Sequence, residues 1–222
     1  MAIKIENISK KYSDFYALKN VSITLEYGKI YCLIGDSGSG KSTFLKIVSG
    51  LLLPSDGTVT YDNKNIYQLS NNELSIHRNE NVGFVFQDYF LEENLSVYEN
   101  TMVPLLIRGN IKHDVLKETV INALTAVGMA HKMDQIVNTL SGGEKQRVSI
   151  ARAIVGNPKI IFADEPTGNL DSTNGNRIME VFLGLNLKGT TIMIVTHNEN
   201  IANLIDNKIY IKDGSIIESN HD

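Results

Sequence analysis

The patterning of this chain predicts an α/β fold built on a mainly parallel sheet, with an antiparallel β lobe near the N-terminus and an inserted helical subdomain. Three observations carry that prediction. A continuous apolar run, Ile30-Tyr31-Cys32-Leu33-Ile34, leads straight into a glycine-rich loop, as a strand buried on both faces does. Beyond residue 156, apolar runs alternate with helically spaced stripes, the order of β-α-β units with right-handed crossovers. Shorter segments around the glycine-rich loop alternate apolar and polar residues, the period of a half-exposed strand.

Taken in order, residues 2 to 8 (Ile3, Ile5) and 21 to 26 (Val21, Ile23, Leu25) show that alternation, and so do residues 57 to 61 after the Pro54-Ser55-Asp56-Gly57 turn. From about 96 to 156 the pattern is helical. Val115, Thr119, Asn122, Ala123 and Ala126 fall at helical spacing, and Gly128 is placed to end that helix. Ile160-Ile161-Phe162-Ala163 reads as a buried strand. Ile178, Val181, Phe182 and Leu185 stripe a helix that stops near Gly189, and Thr191 to Val195 form the next buried strand. The tail from Lys208 to Ser219, with a turn at Asp213-Gly214, reads as a hairpin. There is no internal repeat, low-complexity linker or heptad run. We therefore expect one domain over 1–222, with residues 88–156 as the inserted helical part.

With 222 residues the chain is long enough to bury a real core. Net charge is −4 and no basic run stands out, which argues against charge-driven nucleic-acid binding. The one cysteine, Cys32, lies inside the apolar strand and reads as a small core residue. The N-terminus lacks a signal peptide's apolar block, and no stretch approaches the ~20 apolar residues that span a bilayer. These signs predict a soluble, cytoplasmic chain, able to work at a membrane through a partner.

The chemistry is concentrated in three segments. Gly35-Asp36-Ser37-Gly38-Ser39-Gly40-Lys41-Ser42-Thr43 matches G-x-x-x-x-G-K-[ST], a loop whose backbone N–H groups and following helix N-terminus surround phosphate. Lys41 would reach the β- and γ-phosphates, and Ser42 would ligate Mg²⁺. The pattern alone arises by chance in roughly 1 in 100 chains of this length, so its strand-loop-helix setting has to support it. Asp164-Glu165 closes a buried strand at the edge where open α/β sheets bind ligands. Asp164 suits Mg²⁺, and Glu165 suits orienting or deprotonating a water.

The third segment is Leu140-Ser141-Gly142-Gly143-Glu144. Ser141 and Glu144 have capping-box spacing, so a helix starts there. Two glycines at its N-terminus also leave an accessible anion site. The chain then has two phosphate-binding helix ends but one Lys-Ser loop. Two copies arranged head-to-tail resolve this, each closing the other's loop with Ser141, Gly142 and Gly143.

In order and content these segments resemble the ATP-binding-cassette (ABC) ATPases, and the match spans essentially the whole chain. The resemblance implies a P-loop NTPase core, ATP and Mg²⁺ as ligands, and ATP hydrolysis by a homodimer. It also assigns roles. Tyr12 would stack on adenine. Gln87, in Gly83-Phe84-Val85-Phe86-Gln87, would contact Mg²⁺ and water and link to the transport partner. Asp171 would communicate across the dimer, and His197 would touch the γ-phosphate. Ala163 to Asp171 and Val195-Thr196-His197-Asn198 are similar to the lipoprotein-releasing, macrolide-exporting and cell-division group. Asp36 departs from the usual proline or glutamate there, at a position where the backbone matters more than the side chain. His77, His113, His131 and His221 have no such setting and read as surface residues.

The implied function is an ATPase that drives an integral membrane permease from the inner face of the membrane, docking near residues 88 to 105, where Tyr89, Phe90 and Leu91 are clustered. The alternatives are a non-transport ABC ATPase acting on nucleic acid or ribosomes, whose relatives usually carry paired cassettes or coiled-coil insertions, and a scaffold that binds ATP without turnover.

Overall fold

The computed structural model describes residues 1–109 and 111–220; His221 lies outside the described residues. The chain runs β1 (Ala2–Tyr12), β2 (Phe15–Glu26), β3 (Ile30–Ile34), α1 (Lys41–Val48), β4 (Asp56–Tyr61), β5 (Lys64–Asn65), α2 (Asn71–Asn81) and β6 (Val82–Val85). It continues with α3 (Val97–Arg108), α4 (His113–Ala126), α5 (Gly142–Ile154), β7 (Ile160–Asp164), α6 (Ser172–Leu187), β8 (Thr191–Thr196), α7 (Glu199–Ala202), β9 (Asn207–Lys212) and β10 (Ser215–Asn220).

Two sheets result. The first, β2-β1-β4-β5, is antiparallel. Its first strand is longer than the alternation predicts. Asn7 adopts a left-handed conformation, and the register with β2 shifts between Ile5 and Ile8. That irregularity resets the side-chain parity, so Ile3, Ile5 and Ile8 all point inward and pairing runs on to Tyr12.

The second sheet has the order β10-β9-β3-β8-β7-β6. All its pairings are parallel except the β9–β10 hairpin. Both faces are covered, which explains the uninterrupted apolar runs. Tyr31, Leu33, Phe162, Met193 and Val195 face α1 and the antiparallel lobe. Cys32, Ile161, Ala163, Ile192 and Ile194 face the three-helix block between β6 and β7, together with α6. Each fully buried Phe or Ile contributes about 1.5–3 kcal/mol relative to exposure. Cys32 is one of these core side chains, and burial pushes its thiol up to about 12.

The helix expected around residues 115–126 forms as α4, and the structure adds which face is buried; the reading of His77 needs correction. The α4 face that goes inward is Leu116, Val120, Ala123 and Leu124; Val115 is 53 % exposed, and Asn122 and Ala126 are exposed too. Both stripes have helical spacing, and the heavier apolar one is buried against α3 and α5. The helix does stop at Gly128, where the Gly128 and Met129 N–H groups donate to the Thr125 and Leu124 carbonyls.

His77 is not a surface residue. It packs edge-on against Tyr61, Asn81 Nδ2 lies 3.3 Å from its Nδ1, and its Nε2 is buried without a partner among the described residues. Burial first, then Lys159, Lys64 and Arg78, lower its pKa from 6.5 to about 4. The native state therefore refuses a proton that the unfolded chain accepts, and stability falls as pH drops from 6.5 toward 4. His77→Gln is expected to flatten that loss, measured as urea midpoints at pH 7 and pH 5. Parallel shifts in parent and variant would remove His77 from the effect.

Candidate nucleotide-binding site

β3, β8, β7 and β6 are adjacent, in that order, and parallel. Their carboxyl ends share one edge about 14 Å wide. The glycine-rich loop leaves β3, His197 follows β8, Asp164 and Glu165 end β7, and Gln87 follows β6. Topology alone gathers four segments that are up to 162 positions apart, from Gly35 to His197.

The loop is wedged into place. A Cβ on Gly35 would lie 2.3 Å from the Ile211 carbonyl oxygen, and one on Gly40, whose φ is +105°, would lie 2.4 Å from that of Ala17. The β9–β10 turn braces the loop from outside, with Gly214 N–H donating to Ser39 O at 3.0 Å. Ser39 faces the protein and does not line the cavity. α1 starts at Lys41 with no side-chain cap and no acid in its first turn, so its leading N–H groups are free for an anion. Lys41 is 9 % exposed, and its Nζ donates to the Gly35 and Asp36 carbonyls at 2.7 Å each. The ammonium is thus held by two neutral carbonyls, with no carboxylate in ion-pair contact among the described residues.

Ser42 Oγ donates to Asp164 Oδ1 at 3.2 Å. Burial raises the Asp164 pKa and Glu165 adds to the rise, against the Ser42 bond and the two nearby lysines. Glu165 takes a left-handed φ of 47°, donates its N–H to Val195 O, and brings Oε1 within 2.8 Å of His197 Nδ1. Gln87 and Asn169 exchange bonds: Gln87 Nε2 donates to Asn169 Oδ1 at 3.2 Å, and Asn169 Nδ2 donates to Gln87 O at 3.1 Å.

One cavity of about 980 Å³ is lined by Gln87, Asp164, Glu165, His197, Tyr12 and the loop residues Gly35 to Gly38 and Gly40 to Thr43. Tyr12 ends β1 and is 48 % exposed, with the Lys10 ammonium 5.3 Å from its ring centroid. Sequence reasoning missed its neighbour. Phe15 is the cross-strand partner of Tyr12, is 63 % exposed and lines the same cavity, as does Ile217. An aromatic on each side of a two-residue turn was the signal. Asn169, the clasp on Gln87, was also missed.

Ser141, Gly142, Gly143 and Asp171 lie elsewhere. Ser141 caps α5; Glu144 accepts from its N–H and Oγ at 2.9 and 2.8 Å and from Lys132 Nζ at 2.6 Å. The Lys132 bond first, then Ser141, hold the Glu144 pKa down at about 2. Asp171 caps α6 through the Asn174 N–H. Asn174 in turn sits so close to Gly143 that a Cβ there would lie 2.9 Å from its Oδ1. The Ser141-capped end of α5 and the Asp171 cap of α6 thus lie side by side, and neither lines the cavity of its own chain.

A family model described as "ABC transporter" matches residues 18–168. The chain belongs to the ABC transporter family. It is 41 % identical over 215 residues to the lipoprotein-releasing system ATP-binding protein LolD of Aquifex aeolicus, covering 97 % of this chain and 96 % of that one. It is 40 % identical over 223 residues to the macrolide export ATP-binding/permease protein MacB of Chlorobaculum tepidum, covering 97 % of this chain and 34 % of the relative. This ABC chain therefore spans about a third of the macrolide-export relative's length. The dimeric structure of MJ0796, a bacterial ABC transporter cassette, superposes with a TM-score of 0.89 at 38 % identity, covering 98 % of this chain and 97 % of that one. The same cassette is also known in a dimeric post-hydrolysis state bound to ADP and Pi.

The ABC chain carries a second groove, about 590 Å³, beside α3 and β6. Phe84, Phe86, Phe90, Leu51 and Ile107 line it. Tyr89 and Phe90 are both left-handed, a strain of about 1–3 kcal/mol each. Arg152 holds both carbonyls in place. Phe90 is thereby kept edge-on to Phe86 and 62 % exposed.

Proposed function

We propose that this chain is the ATP-hydrolysing subunit of an ABC transporter, acting as a head-to-tail pair of copies that drives a separate integral membrane permease. One observation carries the reading. A glycine-rich loop with Lys41, the strand-end acids Asp164 and Glu165, and Gln87 share one cavity, while the Ser141-capped, glycine-led end of α5 in the same chain stands outside it. The partner's Ser141, Gly142 and Gly143 are what would close that cavity, with Asp171 joining the two halves.

The residues fit ATP with Mg²⁺. The buried Lys41 ammonium is bonded to two neutral carbonyls, and burial disfavours the Asp164 carboxylate, which a cation would relieve. Bound Mg²⁺ would supply charge neutralisation on the phosphates, held by Ser42, Asp164 and Gln87. Among the described residues no three His, Cys, Asp or Glu side chains form a ligand cluster, so the remaining ligands would be phosphate oxygens and water. Lys41 and the amides from Gly35 to Thr43 bind phosphate, and Tyr12 stacks on the base. Glu165 takes a proton from the attacking water. His197, hydrogen-bonded to Glu165, orients that carboxylate beside the γ-phosphate.

We further assign residues 88–156, within a single domain over 1–222, as the inserted subdomain that meets the permease. The apolar groove around Phe86 and Phe90 is suited to a short amphipathic segment. No helix among the described residues is long and apolar enough to cross a membrane, so this reading attaches the chain to the inner face of the membrane through that groove. Lipoprotein release and macrolide export are the tasks named for its relatives, and a permease of that group is the proposed partner.

Ser141→Arg tests the pairing. Turnover should fall at least about 100-fold, while equilibrium ATP affinity of the isolated chain stays within about twofold, because Ser141 does not line its own chain's cavity. Parent turnover per chain should rise with chain concentration. Intact turnover in Ser141→Arg, or an equal loss of ATP affinity, would remove the partner's helix end from the site.

A further inference from the structure

The three-helix block is joined to the core covalently where β6 leads toward α3 and where α5 returns through Gly156 to β7. Two polar ties fix it further. Near the site, the buried Gln146 of α5 donates Nε2 to Pro166 O at 2.8 Å. At the far end, Arg108 closes α3 with three bonds. Its Nε donates to Asn79 Oδ1 at 2.8 Å, and its Nη2 donates to Asn79 O at 2.8 Å and to Gly156 O at 2.9 Å. Asn79 answers with Nδ2 on Pro104 O at 3.0 Å. One guanidinium thus joins α3 to the core helix α2 and to the return connection at once.

The seat is shaped for it. A Cβ on Gly156 would lie 2.6 Å from Arg108 Nη2 and 3.2 Å from Cζ. A side chain at 156 would push the guanidinium out of this seat. Among the described residues no carboxylate pairs with Arg108, so its donors go to the fixed oxygens of Asn79 and Gly156. Asn79, Pro104 and Gly156 also wall the apolar groove, so a groove occupant bears on this junction.

We propose that Arg108 is a positioning residue for ATP hydrolysis: its bonds to Asn79 and Gly156 set the tilt of the helical block and hence where Ser141–Gly143 meet the partner's phosphate loop. The proposal rests on the two-copy reading above. α3 packs along α5. With Gln146 as pivot, Ser141 stands five residues away, about 8 Å along the axis. A tilt of about 8° carries it about 1 Å, a displacement that costs up to about 100-fold in rate at a reacting centre.

The test uses the full chain. Arg108→Met should lower kcat at least about tenfold, with equilibrium ATP affinity within about twofold, because Arg108 lies outside the nucleotide cavity. Gly156→Ala should act in the same direction by displacing the guanidinium, and Arg108→Lys should recover part of kcat by reaching some of the same oxygens. In a Glu165→Gln background, ATP-driven association measured by sedimentation should weaken at least about tenfold when Arg108→Met is added. A kcat within twofold of the parent in Arg108→Met, or a loss of ATP affinity matching the loss of turnover, overturns the assignment. If Arg108→Met does not fold, Gly156→Ala decides by the same criteria. If the Glu165→Gln chain itself fails to associate with ATP, the two-copy reading falls, and the role of Arg108 with it; if it associates equally well with and without Arg108, only the latter falls.

Discussion

Glu165→Gln is expected to lower phosphate release at least about 100-fold while ATP still binds, and to leave ATP-loaded chains associated as a stable pair. The substitution keeps nearly everything the structure uses at this position. The left-handed backbone, the N–H bond to Val195 O and the length of the side chain are unchanged. A Gln oxygen 2.8 Å from His197 Nδ1 still accepts a hydrogen bond. What disappears is the ability to take a proton, which is worth about 10²- to 10⁴-fold for a positioned base. The check is a phosphate-release assay beside sedimentation with and without ATP. Turnover at the parent rate would show that Glu165 is not the base, and Asp164, with its raised pKa, would be next to examine. His197→Ala separates orientation from chemistry. It removes the partner of the carboxylate but not the carboxylate itself, so its rate should lie between those of parent and Glu165→Gln.

How much of this could be read without coordinates depended on whether the interaction was local. The strand before the phosphate loop, the two-face burial of β7 and β8 and the hairpin turn at Asp213-Gly214 follow from period and turn chemistry within a dozen residues. Motifs at strand ends converge because parallel strands share a carboxyl edge, so Lys41, Ser42, Gln87, Asp164, Glu165 and His197 line one cavity without any contact having been inferred. The misses are non-local or ambiguous. In α4 two stripes had equal spacing, and only packing against α3 and α5 decided between them. His77 looked exposed because its helix is polar, but Tyr61, sixteen residues earlier, covers it. The Asn7 irregularity hid the last residues of β1 by changing the parity of the alternation. Phe15 gained meaning only through its cross-strand position opposite Tyr12. Arg108, Asn79 and Gly156 belong to no motif, and the two outer residues of this group are 77 positions apart.

Lys41→Ala is expected to weaken ATP binding by about 30- to 150-fold, from the loss of about 2–3 kcal/mol of charge-assisted contact. The structure says why the loss should be near the top of that range. The ammonium is almost wholly buried and already desolvated, so its attraction for phosphate is little screened. It also holds the Gly35 and Asp36 carbonyls at 2.7 Å. Without it, those oxygens remain in the cradle and repel phosphate. Lys41→Arg separates charge from shape. The planar guanidinium keeps the positive charge but cannot reproduce a point donor on two carbonyls in a space this tight, so it too should bind poorly. A generic loss of folding would show in melting curves without nucleotide, which should stay close to the parent. The nucleotide-dependent part of the stability should shrink instead: ATP at 100 times the parent Kd adds about 2.7 kcal/mol to the parent and only about 0.3–0.9 kcal/mol to Lys41→Ala. Parent-like affinity in Lys41→Ala, by equilibrium titration, would mean that the cavity at the strand edge is not where the triphosphate binds, and the roles proposed for Ser42, Asp164 and Glu165 would fail with it.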